Sequence, residues 1–237
     1  MSVSFERDGA LAVLRFDDGK ANVLSHAVIE EFHAHLDQVE ADETLGATVI
    51  VGRPGRFCAG FDLATMNSDA ESMRSLVAAG GRLIARLFVL PTPLVAACSG
   101  HALAAGALML LACDERLAAA GGAKIGLNEV TIGLALPSWA VSLARYRLAG
   151  HHFDRCVILG ELTDPDSAVP AGFVDTVVQA ESLEQEALER ARVLAGLHRD
   201  SVAMTKRRAR LAVAQSMTSG IDADVASMTQ PPPRPAG

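Results

Sequence analysis

Two short apolar runs constrain the fold of this chain more than any other feature: GATVIVG at 46–52 and LVAAC at 94–98. Neither alternates with polar residues, so each reads as a strand buried in a sheet rather than a half-exposed one. Each leads into a segment rich in small residues, RPGRFCAGFDL or SGHALAAG, and then into a helix. Buried strand, turn and helix in repetition imply an α/β architecture with a mostly parallel sheet, because parallel neighbours need a long crossover.

The remaining elements fit that scheme. VSFERDGALAVLRF reads as a hairpin turning at Asp8-Gly9. Ser25 is placed to cap a helix whose inward positions are Val28, Phe32, Leu36 and Val39. Asp69 to Val89 reads as a long amphipathic helix with Met73, Leu76, Val77, Leu83, Ile84, Leu87 and Phe88 inward, and Pro-Thr-Pro at 91–93 stops it. An apolar helix ending near Ala112, a strand at ERLAAA, helices at 138–150 and 151–160, and a strand at 173–178 follow. Two amphipathic helices, 182–197 and 200–216, have no strand between them and suggest an appended helical element. The expected division is a core over 1–196 and a C-terminal helical part over 197–237, whose tail MTQPPPRPAG reads as disordered.

Composition excludes several functional classes. Half of the 237 residues are apolar, so a large core is available, and 28 acidic against 21 basic residues give a net charge of −7. That balance opposes binding to a nucleic-acid backbone. The four cysteines, Cys58, Cys98, Cys113 and Cys156, are far apart in apolar surroundings and match no metal spacing. Charges interrupt the N-terminus where a signal peptide needs an apolar run, and HALAAGALMLLAC is too short to span a bilayer. The expectation is a cytoplasmic protein with no membrane or nucleic-acid partner and no metal.

Chemistry concentrates in three segments. AKIGLNEVTIGLALPSW at 123–139 holds one carboxylate, Glu129, among apolar residues. A buried carboxylate is costly unless it is paired, and its pKa rises, so Glu129 is either a satisfied anchor or a proton-transfer group. In FCAGFDL at 57–63, Ala59 and Gly60 let the backbone approach a ligand, and successive N–H groups can hold a developing oxyanion. ALAAG at 102–106 offers a similar turn at a helix start. Taken alone, each turn is better explained by ordinary tight packing. KRRAR at 206–210 reads as a solvated face, with contact to an anionic ligand as the alternative, which Arg53 and Arg56 share.

Taken in order, FCAGFDL, SGHALAAG…CD, IGLNE…GLALP and GELTDPDSAVPAGFVDTVV resemble the crotonase superfamily of enoyl-CoA hydratases and isomerases, over roughly residues 3–216. The resemblance implies a crotonase-like spiral of ββα turns with a C-terminal helical trimerisation element, assembled as a homotrimer or a hexamer of two trimers. It implies an acyl-CoA thioester as substrate, with CoA part of the substrate and no separate cofactor. The oxyanion hole falls on the backbone N–H groups of Phe61 and Ala105, and the substrate site on Ala59, Gly60, Phe61, Asp62, Leu63, Leu108 and Asn128. The family hydratases carry two catalytic glutamates. Here one position is Glu129 and the other is Leu108, six residues before Asp114. One carboxylate suits a double-bond shift from C3 to C2, which needs no water, and IGLNE…W resembles the Δ3,Δ2-enoyl-CoA isomerases. A hydratase or other crotonase reaction, and a non-catalytic acyl-CoA binder, stay open as alternatives.

Overall fold

The computed structural model describes residues 1–228. The chain opens with an antiparallel hairpin of β1 (Val3–Asp8) and β2 (Leu11–Phe16), then β3 (Val23–Leu24) and helix α1 (His26–Ala41). Ser25 caps α1 by accepting from the Val28 N–H, as its position at the start of an apolar period predicts.

Three coils follow. The first contains β4 (Ala47–Gly52), β5 (Gly55–Cys58), β6 (Gly60–Phe61), α2 (Leu63–Met66) and α3 (Ala70–Phe88). The second contains β7 (Leu94–Cys98), β8 (Gly100–Leu103) and α4 (Ala105–Ala112). The third begins with β9 (Glu115–Ala119) and β10 (Ile125–Gly126), passes through a 3₁₀ turn at Glu129–Ile132, and reaches α5 (Ser138–Arg147). Equivalent strands of successive coils stack in parallel. The main sheet runs β1-β2-β4-β7-β9-β11, where β11 is Thr176–Val178, and the second runs β10-β8-β5. The result is a ββα spiral.

The two apolar runs are buried because both faces of the main sheet are covered. Ile50, Leu94, Ala96 and Cys98 face the interior with α1, α3 and α4. Val49, Val51, Val95 and Ala97 face the other way, against Leu183, Ala187 and Ala191 of α8 (Leu183–Ala195). Between β10 and α8 lie α6 (Gly150–Phe153), a π turn at Asp154–Ile158, and α7 (Pro165–Ala171). The last element, α9 (Arg199–Ser227), crosses back over α3 and α5.

Several boundaries differ from the expected ones. β5, β6, β8 and β10 lie within segments read as loops and turns; they are two to four residues long and contain Gly, which leaves no period to detect. The helix expected over 151–160 is a short α6 and a π turn. The strand expected at 173–178 begins at Thr176. The final helix runs to Ser227 rather than 216, and the tail beyond Met228 lies outside the described residues. No helix among the described residues is long and apolar enough to cross a membrane.

Candidate active site

The three strands β5, β8 and β10 end side by side, and the chemistry-bearing segments leave from those ends. A Cβ placed on Gly106 would lie 2.1 Å from the Cys58 carbonyl oxygen, so α4 starts directly against the turn between β5 and β6. A Cβ on Gly60, whose φ is +99°, would lie 3.6 Å from the Ala105 nitrogen. Glycine is therefore required at both positions, one for close approach and one for its positive φ as well. The two turns singled out in the sequence are thus neighbours in space.

On either side of Phe61 the amides are committed: Ala59 N donates to Asn22 O at 3.1 Å and Asp62 N donates to Leu24 O at 3.1 Å. Asp62 braces this turn, its carboxylate accepting from Thr65 N and Thr65 Oγ1 at 2.9 and 2.7 Å. Those bonds hold the carboxyl below its ordinary pKa, the Thr65 hydroxyl contributing most. Ala105 is the first residue of α4, where the N–H has no partner within the helix. The strained residue is Ala104, at φ +51° and ψ −122°. A non-glycine residue there costs roughly 1–3 kcal/mol and persists only when its surroundings impose it. Here Gly126 O, which accepts from Ala104 N at 3.0 Å, is one of the restraints.

Beside these turns lies a cavity of about 330 Å³. Ala59, Phe61, Leu63, Leu108, Asn128 and Glu129 all line it. Gly60, Asp62 and Ala105 are not among the lining residues, but each is bonded in the chain to one that is: Ala59, Phe61 or Ala104. Of the described residues lining the cavity, Glu129 alone carries an ionisable side chain. Glu129 is 9% exposed, and its Oε2 has no hydrogen-bond partner. Burial pushes its carboxyl up to about 7, weakly opposed by a backbone N–H. Leu108 is 1% exposed and occupies the position expected of a second acid. Asn128 Oδ1 and Trp139 Nε1, from residues that also line the cavity, are likewise buried without partners. Trp139 and Met228, which are not among the site residues expected from the sequence, both line the cavity.

A satisfied anchor would show paired carboxylate oxygens. Glu129 instead leaves Oε2 unpaired in an apolar cavity beside two backbone turns, which suits a group that takes up and releases a proton. A profile of the family described as enoyl-CoA hydratase/isomerase matches residues 6–233. The chain belongs to the enoyl-CoA hydratase/isomerase family. Its fold is the crotonase spiral, and it is 38% identical to an enoyl-CoA hydratase/isomerase family protein from Pseudomonas syringae, with a TM-score of 0.93 over 96% of this chain and 98% of that one. It is 29% identical over 230 residues to the mitochondrial enoyl-CoA delta isomerase 1 of Rattus norvegicus, covering 96% of this chain and 80% of the relative. It is also 33% identical to an enoyl-CoA hydratase from Mycobacterium marinum, with a TM-score of 0.91 over 96% of this chain and 99% of that one. The relatives therefore include both reactions, and both act on acyl-CoA thioesters.

The raised pKa gives a first prediction. If Glu129 is the base, only its ionised form is competent, so kcat/KM should rise with pH and level off above about 7. At pH 5 the competent fraction is lower by about a hundredfold. A pH–rate profile flat between pH 5 and 8 would rule the role out.

The basic run at 206–210 divides. Arg207 and Arg208 are exposed, as a solvated face requires. Lys206 and Arg210 are 8% and 7% exposed and point inward, both pairing with Asp114. They anchor α9. Neither of the two readings of the run describes them.

Proposed function

We propose that this chain is a Δ3,Δ2-enoyl-CoA isomerase, moving the double bond of a fatty acyl-CoA from C3 to C2. The observation that carries this reading is the pairing of one ionisable group, Glu129, with a hydrocarbon, Leu108, in the same cavity. In the proposed mechanism, the Phe61 and Ala105 N–H groups receive the thioester carbonyl oxygen. Glu129 takes a proton from C2, the C2–H electron pair moves into a dienolate, and the negative charge on oxygen is held by the two amides. The protonated Glu129 then returns the proton to C4, leaving the double bond at C2. No water enters the balance, and Glu129 ends as it began.

Hydration of a 2-enoyl thioester makes a different demand. A water must be held, aligned and deprotonated while a proton reaches C2, a task that two carboxylates share well. Leu108 can neither accept from nor donate to a water, and it presents hydrocarbon to the cavity where a second acid is expected. The test is turnover of 3-enoyl-CoA and 2-enoyl-CoA side by side on the unmodified protein. The expected result is a kcat/KM for isomerisation at least about a hundredfold above that for hydration, in line with the usual contribution of one acid–base group. Hydration equal to or faster than isomerisation would overturn the reading and mean that another group handles the water.

A further inference from the structure

Every described residue lining the cavity but one lies between Ala59 and Trp139, within the spiral. The exception is Met228, at the end of α9. It comes from a different part of the chain, and what fixes it can be traced. Gly220 lets α9 approach α5 closely: a Cβ there would lie 3.0 Å from Ser138 Oγ. One turn on, Asp224 accepts from Ser138 Oγ at 2.8 Å and from Trp139 N at 3.1 Å. Met217 and Ile221 on the same helix are buried, with Ile221 and the Trp139 ring meeting at Gly81 of α3. At the helix end, Arg74 of α3 donates from Nε and Nη2 to the Met228 carbonyl oxygen, at 3.0 and 2.9 Å. Arg74 lies one turn before Val77, another cavity residue, so the clamp ties the end of α9 to the helix that supplies part of the cavity wall.

On the reading of the cavity as an acyl-CoA site, we infer that Met228, held in place by Arg74, is the residue that limits the length of the acyl chain. The chemistry at C2 to C4 uses Glu129 and the two amides. The carbons beyond need only apolar wall, and Met228 is the part of that wall supplied by α9 rather than by the spiral, packed against the core from outside it. Its side chain is unbranched and partly exposed, so it can be exchanged for a smaller or larger group without opening the core. Apolar pockets discriminate by fit: one methylene too many or too few changes recognition by roughly tenfold or more.

The test uses saturated straight-chain acyl-CoAs from butanoyl to hexadecanoyl, with affinities measured by calorimetry on the full-length protein, so that it does not depend on which reaction is catalysed. Affinity of the wild type is expected to climb with chain length and then stop climbing. Met228→Ala should move that break to longer chains, strengthening binding of the first disfavoured acyl-CoA by about tenfold. Met228→Trp should move it to shorter chains. Arg74→Met, which removes the clamp and leaves the Met228 side chain in place, should blunt the break while butanoyl-CoA binds as before. Circular dichroism would confirm that each variant is folded. The same length ranking in all four proteins would overturn the role of Met228. Failure of the wild type to bind any acyl-CoA would overturn the functional reading beneath it, and this inference with it.

Discussion

Glu129→Gln is expected to lower turnover of 3-enoyl-CoA by about 10²–10⁴-fold or more, since loss of a general base costs that much even when other groups assist. Glutamine keeps the shape of the side chain and an amide oxygen, but it cannot hold a proton between C2 and C4. Affinity for saturated acyl-CoA should stay close to that of wild type, because the proposed oxyanion donors are backbone N–H groups. The same substitution should not weaken the fold. Glu129 has a folded-state pKa of about 7, raised from 4.5, so the fold disfavours its ionised form. That disadvantage is absent below pH 4.5, develops as pH rises toward 7, and is complete above it. Denaturation midpoints of Glu129→Gln should therefore gain on wild type as pH is raised from 4 to 8. A variant that keeps near-full turnover would remove Glu129 from the mechanism. One that loses turnover by unfolding would show it in those midpoints.

The hydrophobic pattern made the layers of this protein legible. Continuous apolar runs such as 46–52 betray strands covered on both faces, and both faces of the sheet are covered as that pattern requires. The period of α3 was equally plain, and its seven expected inward residues are all buried. Strands of two residues such as β3 and β6 leave no such trace. They exist because the spiral brings partners alongside, which is a tertiary cause. The length of α9 was underestimated for a related reason. Beyond residue 216 its pattern is mixed, with Gly220, Asp222 and Asp224 in the sequence, and it is contacts with α3 and α5 that sustain it.

The site was legible where chemistry is unusual. A lone carboxylate in an apolar run is rare enough to notice, and Glu129 is found buried with one carboxylate oxygen unpaired. That Ala104 rather than Ala105 bears the positive φ could not be read from a run of small residues, since several alanines there are equivalent on paper. Met228 was beyond reach because its nearest companions in the cavity wall are distant in sequence. Asp114, Lys206 and Arg210 illustrate a further limit. A basic run usually marks a wet surface, and only the position of α9 reveals that two of its side chains turn inward to one aspartate.

That aspartate is where the largest loss of stability is expected. Asp114 Oδ2 accepts from Leu94 N at 2.7 Å and pairs with Lys206, while Oδ1 meets Arg210 Nη2 at 2.6 Å. Lys206 also donates to Leu90 O and Thr92 O, and Arg210 to Phe88 O, so both cations have neutral acceptors but share Asp114 as counter-charge. Asp114→Ala removes it and leaves two buried positive charges facing carbonyl oxygens. Breaking one side of a buried pair typically costs about 3–5 kcal/mol, because the remaining charge has lost its compensation. Urea denaturation should show a loss in that range for Asp114→Ala, while Arg207→Ala, on the exposed side of the same helix, should stay within about 0.5 kcal/mol of wild type. The loss should also reach the site. Lys206 and Arg210 hold the first half of α9 to the end of the sheet, and the second half carries Met228 to the cavity. At temperatures where Asp114→Ala remains folded, acyl-CoA length discrimination should be weakened more than the turnover of short substrates, since Glu129 and both amide turns belong to the spiral. A stability loss below about 1 kcal/mol would mean that the two cations find water or other acceptors at little cost, and that Asp114 is not what secures α9.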